Sequence, residues 1–254
     1  MPSQFKPTQK KLILAAEALF MEHGIDVVPL KEIATAAGQA NNTAVHYHFG
    51  SREALIHAIS AYRIEELDRV RARMLGEVRT DGQEVSLRRL LKILFLSQLE
   101  IADERGCHPY AHFMVQYLTI YRPAGASHAS DARDPASETL HNLCALISAQ
   151  LPDIPMNTVM RRLEILNLSF LAMLVRSDNA LLCERPRPDL SQEANEIIEM
   201  ALGAIGVPNV TPEASLPTPD RRDHDLVESS RARPERVPSS DSPARLQRAN
   251  RKRA

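Results

Sequence analysis

The densest chemistry in this 254-residue chain is a short polar segment. Asn41, Asn42 and Thr43 precede His46, Tyr47 and His48, and Ser51-Arg52 follows Phe49-Gly50. A carboxamide presents a donor beside an acceptor and can pair bidentately with adenine, while a threonine methyl can touch a thymine methyl. Imidazolium, phenol and guanidinium groups, with the free N–H groups of a helix opening, suit phosphate oxygens. The residue types point to a DNA duplex read from a groove. Singly, Asn41-Asn42-Thr43 also suit a solvated turn and cap.

Such side chains read a groove only from a rigid element. Leu12, Ala15, Ala16, Leu19 and Phe20 share one helical stripe that Gly24 ends. Leu30, Ile33, Ala34 and Ala37 form a shorter stripe ending at Gly38, and another short helix is expected from near Asn41 to Phe49-Gly50. Two short helices joined by a glycine-containing turn, braced by a longer apolar helix, make a helix-turn-helix. Small Ala34, Ala36 and Ala37 permit close approach. Val45 and Phe49 are expected to plug the recognition helix into a core of Leu19, Phe20 and Ile33.

Over roughly residues 8–60 the chain closely resembles the tetracycline-repressor (TetR) family of bacterial one-component regulators. The resemblance is carried by Ile33-Ala34, Ala37-Gly38, Tyr47-His48-Phe49 and Ser51-Arg52-Glu53-Ala54-Leu55. The form Asn-Asn-Thr-Ala-Val-His-Tyr-His-Phe-Gly is similar to one branch of that family. The resemblance implies a homodimer and a larger C-terminal helical domain that binds a small-molecule effector. It also implies repression relieved by that effector. With the chemistry above, the expected DNA-contacting set is Lys31, Asn41, Asn42, Thr43, His46, Tyr47, His48, Ser51 and Arg52. The chain departs from the pattern in places. The stretch from Gly38 to Phe49 is one residue longer, His46 stands where an aromatic usually contacts phosphate, and Val28-Pro29 replaces a phosphate-binding Thr. A phosphate beside His46 or His48 would favour imidazolium, so DNA affinity is expected to weaken from about pH 6 to about pH 8.

The rest of the chain reads as an all-α fold. Helical candidates follow at 51–75, around Leu87 to Phe95, and at about 109–121, 135–150, 156–182 and 191–205, with no sustained period-two alternation. The expected division is 1–55 for DNA binding and 56–207 for effector binding and dimerisation. Residues 208–254, rich in Pro, Ser, Arg and Asp, form an expected disordered tail. Phe95, Leu99, Phe113, Tyr117, Tyr121, Phe170 and Met173 are candidate effector-pocket residues, though helical spacing fits plain core equally. Met160, Leu163, Leu171, Ile197, Ile198 and Ala201 are candidate dimer-interface residues, on two helices that would close a four-helix bundle with their copies.

Composition bounds the alternatives. Net charge is -1, so phosphate attraction must be local; Lys6, Lys10, Lys11, Lys31 and Arg52 are opposed by Glu17, Glu22, Asp26, Glu32 and Glu53. The 3 cysteines lack a CxxC pair and fit free thiols in a reducing cytoplasm. The N-terminus does not resemble a signal peptide, and the apolar stretch 163–175 is too short and polar to span a bilayer, so no membrane partner is expected. Cys107, His108 and His112 invite a metal reading, but Pro109 interrupts them and no ligand set completes it. No metal, cofactor or enzymatic activity is expected. The rival readings are a protein-binding helical module that has lost DNA affinity and, further off, a metal-dependent enzyme.

Overall fold

Pro7 opens the first helix because its fixed φ suits a first helical turn, where a missing N–H costs nothing. Helix α1 spans Pro7–His23, buries Leu12, Ile13, Ala16 and Phe20 on one face, and stops at Gly24, whose φ is +88°. The computed structural model describes residues 4–80, 82, 84–125 and 135–208. The expected tail lies outside these residues, apart from Pro208.

Helix α2 spans Leu30–Ala36, α3 Ala44–Phe49 and α4 Arg52–Thr80. Pro29 sits at the N-cap of α2 rather than at its first helical position. Helix α5, Leu87–Leu96, ends in a tighter 3-10 turn at Ser97–Ile101, and α6, Pro109–Gln116, widens into a π-helical turn at Tyr117–Tyr121. Helices α7 (Glu138–Ala149), α8 (Met156–Leu182) and α9 (Leu190–Ile205) complete the order, and no strand occurs among the described residues. Helix α8 is central, packed on α6, α7 and α9, while α9 also covers α5. Helix α1 packs on α2, α4 and α6. Helix α4 runs unbroken through the expected boundary near residue 55, from the helix-turn-helix to the larger bundle.

Helix α8 is longer than the apolar stretch 163–175 within it. It is 27 residues long, and an 18-residue window of it has a mean hydropathy of 1.3, enough by length and composition to cross a membrane, a test that the core helix of a globular protein passes as well. Its C-terminal part instead carries a buried carboxylate. Asp178 is 0% exposed; its Oδ2 accepts from the His108 backbone N–H at 2.6 Å, and its Oδ1 lies 3.1 Å from His108 Nδ1. His112 Nε2 lies 3.4 Å away, and Arg187 Nη2 donates at 3.3 Å. Arg187 also donates to Gly106 O at 2.9 Å and to Ser177 Oγ at 2.8 Å, tying the entry of α6 to the end of α8. The two histidines that invited a metal reading are thus partners of Asp178, and no metal-holding cluster occurs among the described residues.

Burial alone would raise the Asp178 carboxyl, but the two His108 contacts and the neighbouring His112 imidazole outweigh it and hold the group down at about 2. A depressed native value stabilises the fold above the ordinary carboxylate range and is lost as pH falls through about 4 to about 2. Asp178→Asn is expected to lose about 3 kcal/mol at neutral pH, as for breaking a buried charged pair. Denaturant unfolding at neutral pH and at about pH 2 checks this, since the gap between the proteins should narrow in acid.

Candidate nucleic-acid interface and ligand cavity

The turn between α2 and α3 is built by hydrogen bonding at the end of α2. The Gly38 N–H donates to Thr35 O at 2.9 Å and the Gln39 N–H to Ala34 O at 2.9 Å, with Gly38 at φ +68°. This double closure needs a left-handed residue, which glycine adopts at little cost. Ala44 and Val45 are buried in the core, and α3 packs on α2 and α4. Phe49 is half-buried against the same core.

Helix α3 begins at Ala44, so Asn41, Asn42 and Thr43 precede it instead of forming its first turn. The reason is local. Asn41 Oδ1 accepts from the Thr43 N–H at 2.9 Å and from Thr43 Oγ1 at 2.7 Å, closing a compact loop that competes with helix. Asn41 thereby braces the turn, while Asn42 and Thr43 remain exposed. Tyr47 is 81% exposed, and its ring meets His48 edge-on at 4.9 Å. His46 is exposed with Nδ1 3.0 Å from Gly50 O, so as an Nδ1–H donor it leaves Nε2 for an outside partner. Lys31 is exposed on α2, and Ser51 Oγ caps α4 by accepting from the Ala54 N–H at 3.1 Å.

Arg52 has a different task from the expected phosphate contact. Its Nη1 donates to Ile25 O at 2.6 Å and its Nη2 to Val28 O at 2.5 Å, so the guanidinium stitches the α1–α2 loop to the start of α4. The same loop is held from the other side by α6. Gln116 Oε1 accepts from the Ile25 N–H at 3.0 Å, and the Tyr121 hydroxyl bonds Asp26. Of the acids set against the basic residues, Glu17 is buried against Arg63 at 2.5 Å and does not face solvent.

A cavity of about 670 Å³ lies among α4, α5, α6, α7 and α8. Helix α4 contributes Ile64, Leu67 and Arg71, α6 and its π turn contribute Tyr110, Met114 and Leu118, and α7 contributes Leu140 and Cys144. Helix α8 adds Met160, Leu163, Asn167 and Leu171, and Asn167 accepts from Gln98 Nε2 at 3.0 Å. The expected pocket residues lie elsewhere. Phe95, Phe113, Tyr117, Phe170 and Met173 are packed core, with the Phe95 and Phe170 rings stacked at 5.4 Å; Leu99 and Tyr121 are half-buried outside the cavity. Helical period tells which side chains face inward but not whether a neighbour or a void faces them. Arg71 was missed, although its place on the apolar stripe Ile64, Leu67 and Leu75 marks it in the sequence as a charge facing inward.

The expected dimer residues also divide. Leu163, Leu171, Ile198 and Ala201 are buried within the protomer, Leu163 and Leu171 on the cavity wall and Ile198 and Ala201 on the core-facing side of α9, which packs on α8 and α5. Met160 and Ile197 retain exposure. The outward face instead carries Ile165 at 60% and Met200 at 68%, beside a shallow groove lined by Ser169, Ala172 and Ile197.

These positions separate two arginine and lysine roles by experiment. Lys31→Ala is expected to lower the salt-dependence slope of duplex DNA binding by about one, as for one lost phosphate contact, without changing stability. Arg52→Met should leave that slope nearly unchanged and lower Tm, since each hydrogen bond from a charged group contributes about 1.5–3 kcal/mol. Binding isotherms over a salt series and thermal melts measure both.

Residues 12–59 match the model for bacterial regulatory proteins of the tetR family. No curated protein matches the chain. Among solved structures, the chain is similar to the fatty acid degradation regulator FadR from Bacillus halodurans, with 17% identity, a TM-score of 0.53, and coverage of 80% of this chain and 98% of that one. It is also similar to NalD, the secondary repressor of the MexAB-OprM multidrug efflux pump in Pseudomonas aeruginosa, with 20% identity, a TM-score of 0.50, and coverage of 80% and 98%. The helix-turn-helix segment thus matches the tetR family, and the described chain has the all-helical fold of those regulators.

Proposed function

We propose that this protein is a cytoplasmic, homodimeric, sequence-specific DNA-binding transcriptional regulator, a repressor released from a near-palindromic operator by a small-molecule effector. The observation that carries the reading is the presentation of Asn42, His46 and Tyr47 on an exposed surface whose underside, Ala44 and Val45, is locked into the core. A short helix anchored on one face and polar on the other is what a major groove admits. The match of residues 12–59 to the tetR-family model supports it.

In this reading residues 1–55 bind DNA and 56–207 bind the effector and dimerise. The exposed apolar face of α8 and α9, with Ile165 and Met200, meets its copy as a four-helix bundle. The effector occupies the cavity between α4 and α8. Helix α6 then links ligand to DNA, since Tyr110 and Met114 border the cavity while Gln116 holds the α1–α2 loop. A ligand that prefers one position of α6 biases the spacing of the two recognition helices and so the affinity for the operator.

Selection of bound duplexes from a random pool tests the central claim. The expected product is an inverted repeat with half-sites about 10 base pairs apart, or a multiple, centre to centre. Tyr47→Ala should weaken binding to it about tenfold or more with the melting temperature unchanged. No enriched sequence, or equal affinity for selected and random duplexes, would overturn the reading. Sedimentation of an Ile165→Glu, Met200→Glu double variant checks the dimer, with a folded monomer as the expected outcome.

A further inference from the structure

Arg71 is 5% exposed and borders a cavity whose lining joins apolar side chains of α4, α5, α6, α7 and α8 to a few polar ones, Arg122, His141, Arg161 and Glu164 among them. Its described hydrogen bond runs from Nε to Ser97 Oγ at 3.2 Å, and Ser97 Oγ in turn donates to Leu94 O at 3.1 Å. Among the described residues no carboxylate forms an ion pair with it. Asp68, on the preceding turn of α4, is committed elsewhere: its two oxygens accept from the Thr139 N–H at 3.2 Å and the Leu140 N–H at 2.9 Å, capping α7. Burial lowers the guanidinium below its ordinary value, yet Arg stays protonated under physiological conditions. Asp68 lies within electrostatic reach of Arg71 but makes no ion pair with it; a buried cation without an ion-pair partner is costly, and the end-on fork of Nη1 and Nη2 has the geometry that a carboxylate accepts.

We infer that the ligand of this cavity is an apolar organic acid whose carboxylate pairs with Arg71, an inference that rests on the cavity being the effector site proposed above. The body of the acid lies along Leu67, Met114, Leu118 and Leu163, and the volume of about 670 Å³ is that of a drug-sized ligand. Tyr110 and Cys144 stand within electrostatic reach of the same guanidinium, in position to border the charged end. Arg71 belongs to α4, the helix that Arg52 stitches to the DNA-reading segment, so an anion at Arg71 bears on the element that carries that segment.

The test titrates the full chain, by calorimetry, with two probe pairs: decanoate with its methyl ester, and 4-butylbenzoate with its methyl ester. At least one acid is expected to bind about 10- to 100-fold more tightly than its ester, and Arg71→Met should erase that preference. The same variant should melt no lower than the native chain without ligand, because an unpaired buried charge has gone. Should Arg71→Met not fold, Arg71→Lys decides: weakened acid binding supports the pairing and unchanged acid binding overturns it. Equal binding of acids and esters, an acid preference that survives Arg71→Met, or no binding of either acid overturns the inference. Repeating the titration with the selected duplex separates the two readings. Acids that bind through Arg71 without altering DNA affinity remove the effector role and leave the anion site, whereas esters that release DNA as well as acids do the reverse.

Discussion

Both oxygens of the buried Glu17 carboxylate accept from Arg63, Nε at 2.8 and 3.0 Å and Nη2 at 2.5 Å, and this contact sets where α1 stands on α4. Arg63 also donates to Glu66 at 2.5 Å, and Tyr62 donates to the other Glu66 oxygen at 3.0 Å. Burial by itself would lower the guanidinium, but Glu17 and Glu66 more than offset it and hold Arg63 above its ordinary value. A buried pair of this kind adds little net stability relative to apolar residues of the same shape, yet losing one partner is severe. Its value is geometric. An apolar contact tolerates sliding by a fraction of a turn, whereas a bidentate pair does so only by leaving a buried charge unsatisfied.

Helix α4 is the common frame for that contact and for the two sites. Arg52, Arg63 and Arg71 lie along it, with a rise of about 1.5 Å per residue placing the first and last roughly 28 Å apart. Each has a different environment: backbone carbonyls for Arg52, carboxylates for Arg63, and a single hydroxyl beside a cavity for Arg71. The first two fix the helix-turn-helix, and the third has no ion-pair partner among the described residues. Continuity of the helix makes these environments mechanically related, since a straight α-helix transmits a shift along its axis better than a loop does.

A second link runs through α6. Its aromatic ladder, Tyr110, Phe113, Tyr117 and Tyr121, keeps ring centroids 5.9 to 6.4 Å apart through the change from α to π winding. Phe113 also stacks on Phe20 of α1 at 6.5 Å. Packed rings resist compression, so α6 and α1 are coupled by contact as well as by the Gln116 hydrogen bonds. The wall of the cavity and the support of the α1–α2 loop are two faces of one element.

Amino-acid order by itself determined the helices and the turn. The stripes of α1 and α2, the glycine stops at Gly24 and Gly38, and the anchoring role of Val45 follow from period and from backbone freedom, which act over a few residues. Helix candidates at 156–182 and 191–205 fall close to α8 and α9 for the same reason. Long-range placement decided the rest. Arg52 reaches carbonyls 27 and 24 positions away, Asp178 gathers His108 from 70 positions away, and no local pattern announces such partners. Likewise Phe95 and Leu163 carry the same inward-facing signal, yet one meets a ring and the other borders a void. Which of these holds depends on where the opposite helix comes to rest, and only the packed tertiary structure contains that distance.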